Sequence, residues 1–144
     1  MKLRFEIIAH KNHRYPTAGD YYQHKGVWWF KVSRMKDKRY MWLVFLHEMI
    51  EWSLCRLWGI KQREIDKFDK AYEASRPDTG GWNARLTSNF EECAPCGCRH
   101  LDEPGDDIHA PYHDAHAVAS ECERLIAKAL NVDWVKYDET VAKL

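Results

Sequence analysis

The stretch Lys38–Trp58, KRYMWLVFLHEMIEWSLCRLW, decides the fold. From Met41 onward it is apolar nearly all round, which is the pattern of a helix buried inside a protein. Gly59 follows as a suitable residue to end it. The apolar run is about as long as a membrane span. His47, Glu48 and Glu51 sit at its middle, however, where ionisable groups are most costly in lipid. The stretch therefore reads as the central helix of a soluble domain.

Working outward, Leu3–Ala9 alternates in part and is rich in β-formers, and Val27–Ser33 (VWWFKVS) is aromatic and β-branched. Both read as strands of one small sheet, with a third short strand around Tyr21–Gln23. Tyr15–Asp20 (YPTAGD) between them carries turn chemistry. After the central helix, Gln62–Ser75 predicts a second helix, with Ile65, Phe68 and Tyr72 on one apolar face. Tyr112–Leu130 predicts a third, with a stripe of Ala115, Ala119, Cys122, Ile126 and Ala129. Trp134–Val141 is a short terminal element. Residues 76–111 are rich in glycine and proline and read as a long loop or insertion, a length usually reserved for function. The expectation is one α+β domain over residues 1–144: a small β-sheet packed on three main helices.

The chain has 144 residues, enough for a core without staples. Its 45% hydrophobic content and its 7 Trp, 7 Tyr and 5 Phe argue against disorder. Lys plus Arg and Asp plus Glu are both 22, so net charge gives no electrostatic reason to expect nucleic-acid binding, local basic patches aside. The charged start Met1–Glu6 lacks the apolar region of a secretion signal, and 5 cysteines is an odd number. The expectation is a cytoplasmic protein without membrane contact, whose cysteines are thiols or metal ligands.

His47-Glu48-Met49-Ile50-Glu51 carries the chemistry. His47 and Glu51 are i and i+4, one turn apart on one helix face, and can meet a single ion. Glu48 flanks that face, within reach of a water bound there. Buried carboxylates must be paired or coordinate something. Two readings follow: a divalent metal site, or ion pairs with Arg or Lys from elsewhere in the core. On the third helix, His113 and His116 are i and i+3. The wheel turns His116 toward the apolar stripe as the better ligand and His113 toward solvent as a fourth candidate. Cys93-x-x-Cys96-x-Cys98-x-His100 opens with the spacing of a zinc knuckle. All four candidates lie within a short loop, so a second, structural zinc and a metal-free loop both stay open. Asp66, Asp69, Asp102, Glu103, Asp106 and Asp107 could supply further oxygens, and nothing in the pattern selects one.

At His47-Glu48-x-x-Glu51, after a strand and inside a long buried helix, the chain resembles the active-site helix of zincin-type metallopeptidases. The resemblance implies that His47 ligates zinc and that Glu48 is the general base. It covers about twenty residues, and it departs from the family where Glu51 stands in place of the second histidine. The overall pattern also resembles uncharacterised small proteins of bacteriophage and bacterial genomes.

The sequence thus predicts a zincin-like, zinc-dependent hydrolase acting on a peptide or small molecule. His47, Glu51 and His116 hold the ion, with His113 as a further ligand, and a position stays open for water. Two alternatives remain. The dipeptide His113-Asp114 suits an HD-type metal-dependent phosphohydrolase acting on phosphoesters, which requires Asp114 to point inward. The other is a non-catalytic module stabilised by its metal, favoured by a closed ligand shell or by Glu48 locked in a salt bridge.

Overall fold

The computed structural model describes residues 1–75 and 103–144. Three strands, β1 (Lys2–Ile8), β2 (Gly19–His24) and β3 (Val27–Ser33), form one sheet in the order β1-β3-β2. β2 and β3 are an antiparallel hairpin, while β1 runs parallel to β3. The hairpin turns on Lys25 and Gly26 at φ 49° and 75°. Positive φ at both central residues matches the right-handed twist of the strands, and glycine takes the second position without strain. The third short strand expected around Tyr21 is therefore longer, and it lies on the far side of β3 from β1.

Four helices follow: α1 (Lys38–Leu57), α2 (Gln62–Ser75), α3 (His113–Ala129) and α4 (Trp134–Ala142). The Asp37 carboxylate caps α1 by accepting from the Arg39 N–H at 2.9 Å. Asp133 caps α4 through the Lys136 N–H. Gly59, at φ 75°, ends α1 as its position after the last apolar turn predicts. No helix among the described residues is long and apolar enough to cross a membrane.

Alternation along β3 turns Trp28, Phe30 and Val32 inward onto α1. There Trp52 meets Trp28 and Phe30 edge-on, with ring centroids 5.5 and 5.4 Å apart. A second cluster around Val32, Leu43, Val44 and Ala127 closes the other end of α1. α3 lies antiparallel against α1, since His47 faces Glu123 while Glu51 faces His116. The fully buried Ala115, Ala119 and Ala127 let the two backbones approach closely.

Two expectations need correction. α1 is not enclosed on all sides: Trp42 and Leu57 are 52% and 80% exposed, because the three-stranded sheet and α3 cover only part of its circumference. Trp42 instead stacks on Phe5 in the middle of β1. The buried stripe of α3 runs through Ala115, His116, Ala119, Glu123 and Ala127, whereas Cys122 is half-buried and Ala129 exposed. Helical phase, not apolarity, sets which residues face α1, so a glutamate occupies a core position.

Candidate metal centre

α1 and α3 bring three side chains to one buried point. His47 Nε2 lies 3.1 Å from His116 Nδ1. His116 Nδ1 lies 2.9 Å from Glu51 Oε2. The third edge, from Glu51 Oε2 to His47 Nε2, is 3.6 Å. Tetrahedral donors at zinc bond lengths stand about 3.3 Å from one another. The three edges bracket that value, so this buried His/Glu/His group could hold a metal ion.

The outward atoms of all three groups are held from behind. His47 Nδ1 donates to Glu123 Oε2 at 3.0 Å, and Glu123 Oε1 accepts from the Tyr137 hydroxyl of α4. His116 Nε2 faces Asp106 Oδ1 at 3.3 Å and Glu103 Oε2 at 3.5 Å. Glu51 Oε1 accepts from the Tyr21 hydroxyl at 2.9 Å. With each imidazole giving its N–H outward, the inward faces are two nitrogen lone pairs and a carboxylate oxygen. Three acceptors cannot face one another without a cation among them. Carboxylates behind ligating histidines are the usual device that fixes tautomer and ring orientation at a metal.

In the metal-free protein, protons supply that positive charge. Burial opposes charging of His116, but Asp106 and Glu51 outweigh it and raise its pKa to about 10. Burial likewise opposes His47, and Glu123 and Glu51 hold it well above its ordinary value. Burial raises Glu51, yet hydrogen bonds from His116 and His47 bring it down to about 2.

Glu48 stands apart from the triad. It has no hydrogen bond or ion pair among the described residues, and it lines a cleft of about 160 Å³ together with His47, Glu51 and His116. Burial, then the charge of Glu51, pushes its carboxyl well above the ordinary range. Gly19 of β2 is what makes room for it: a Cβ there would collide with the Glu48 side chain and come within 2.7 Å of Val44 Cγ1. Gly105 performs the same service for His116. The far wall of the cleft is Asp69, which accepts from the hydroxyls of Tyr15 and Tyr112. Burial pushes its carboxyl up to about 7 against those two hydrogen bonds. No Lys or Arg lines this cleft among the described residues.

The structure thus brings together His47, Glu51 and His116, with Glu48 alongside. His113 is not among them: its Nδ1 donates to the Gly105 carbonyl at 3.1 Å and braces the turn Pro104–Asp106. Asp114 is exposed. Cys93, Cys96, Cys98 and His100 lie outside the described residues. Sequence reasoning missed Glu123, Tyr137 and Tyr21, and named Asp106 and Glu103 without a role. Glu123 carried one signal, since it lies seven residues from His116 and thus on the same helix face. No protein-family model, curated protein or solved structure matches the chain.

Proposed function

We propose that the protein is a zinc-dependent, peptidase-like hydrolase, with His47, Glu51 and His116 as the ligands and Glu48 as the general base. One observation carries the reading: three buried acceptors converge on a point while their outward atoms are each fixed by a partner. When bound there, zinc supplies Lewis acidity toward a carbonyl oxygen and acidifies a water. Glu48 takes the proton of the attacking water and returns it to the leaving amine. The position of Glu48 at the cleft wall, without an ion pair among the described residues, supports a catalytic over a purely structural metal. Three ligands rather than four among the described residues do the same.

The phosphoester alternative fares worse. Asp114 is exposed, and a cleft lined by carboxylates without Lys or Arg among the described residues repels a dianionic phosphate. The test is elemental analysis of protein purified without chelator, wild type beside His47→Ala. One zinc per chain, lost in His47→Ala, is expected. Wild-type protein devoid of metal, and unable to take up added zinc, would overturn the proposal. A wild-type ratio near two that falls to one in Cys96→Ser assigns the cysteine segment a zinc of its own.

A further inference from the structure

The outer face of the sheet carries a different chemistry. The register sets Arg4, Trp29 and Tyr22 side by side across the three strands. The next row toward the hairpin is Lys2, Val27 and His24, and the row on the other side begins Glu6, Lys31. The Arg4 guanidinium lies 5.0 Å over the Trp29 ring, and Lys31 Nζ stands 5.6 Å from Trp29 and 5.8 Å from Tyr22. Arg14 covers the other side of Tyr22 at 4.2 Å, anchored by Asp20 and Asp66. Lys2, Arg4 and Lys25 are exposed, and Trp29 and Tyr22 are half-buried. The acidic groups here are already engaged: Glu6 with Lys31 at 3.5 Å, and Asp20 buried under Arg14.

Two rings in one row, flanked by cations on flexible stems, are what single-stranded nucleic acid needs. Its bases present π-faces to aromatic and guanidinium planes, and its phosphates answer the cations. A membrane surface calls for an apolar rim, and an acidic peptide offers nothing for the rings to stack on. We propose that this face binds single-stranded nucleic acid, bases stacking at Trp29 and Tyr22 while Lys2, Arg4 and Lys25 meet phosphates. The site is independent of the metal centre, which lies on the other side of the sheet, between α1 and α3.

The test is fluorescence anisotropy of a labelled oligothymidylate of about 12 nucleotides titrated with the full chain, with total tryptophan emission followed in parallel in wild type and Trp29→Ala. Expected are saturable binding, quenching of tryptophan emission that is lost in Trp29→Ala, and a log–log salt slope of about −2, from three phosphate contacts at about −0.7 each. Trp29→Ala should weaken binding by about 5- to 100-fold. Arg4→Glu, an exposed change that leaves the fold alone, should weaken it and flatten the salt slope. Circular dichroism checks that both variants fold. The proposal is overturned by no binding at low salt, by Arg4→Glu binding as well as wild type, by equal affinity for duplex, or by binding only to vesicles of phosphatidylserine and phosphatidylcholine.

Discussion

The two sides of the sheet make opposite use of the same elements. On the side packed against α1, carboxylates converge: Glu48, Glu51 and Asp69 line one cleft, and Glu123 stands behind His47. On the outer side the cations gather, with Arg4 and Lys31 over Trp29 and Tyr22. A chain with 22 residues of each sign has no formal net charge, yet carboxylates line the inner cleft while Lys2 and Arg4 stand exposed on the outer face. Burial makes the difference between the two. On the inner side a buried polar group left without a partner or a bound cation is costly, so the arrangement of His47, Glu51, His116 and Glu123 is tightly determined. On the outer side water satisfies whatever the protein does not, and contacts there are individually weak.

The largest expected effect tests the inner side. Glu48→Gln should keep zinc and fold, yet lower hydrolysis of a cleaved peptide substrate by about two to four orders of magnitude. Glu51→Gln should lose zinc instead, as read by elemental analysis. If Glu48→Gln loses zinc as readily, Glu48 is a ligand and the assignment of roles fails.

The two faces of β3 can be compared directly by denaturant unfolding. Phe30 is 1% exposed against Trp52 and Phe45. Phe30→Ala should cost about 3–5 kcal/mol through the cavity it leaves. Trp29→Ala, one residue along on the outer face, should cost about 1 kcal/mol, mostly its cation–π contacts. Equal costs would mean that the outer face is covered like a core.

Gly19→Ala falls between these. The added methyl meets Val44 and Glu48, so a loss of about 1–3 kcal/mol is expected. Hydrolysis should fall further than stability alone explains, because Glu48 is displaced. A variant as stable and active as wild type would show that Glu48 has room to spare.

The smallest effect is a reversal of sign with pH. In the metal-free protein His116 is raised to about 10, so its stabilisation is full below its ordinary 6.5 and is lost as pH rises through about 10. Glu51 is lowered to about 2, so its share is full above its ordinary 4.5 and is lost as pH falls through about 2. Thermal stability with chelator should therefore decline from about pH 6 to about pH 8.5. With zinc it should rise over the same interval, because the metal displaces protons from its ligands. Parallel curves with and without zinc would deny the triad an ion.

Much of this molecule followed from local pattern. Val27–Ser33, Lys38–Trp58 and Gln62–Ser75 announce their elements within a residue or so, since apolar periodicity and caps act over one turn. His47 and Glu51 were paired by helix geometry alone, and His116 by its place at the edge of a stripe. The stripe of α3 was misphased, because its buried positions include a glutamate and its exposed ones an alanine. That Glu123, Asp106 and Tyr21 stand behind the three ligands depends on how α3, the Pro104–Asp106 turn and β2 meet α1. Tyr21 and Glu123 stand 30 and 76 residues from their partners, and Asp106 reaches His116 from a separate turn, so none leaves a periodic trace in the chain. The same holds for the cation-flanked row on the outer face. Net charge counts residues, and only strand register decides which of them stand side by side.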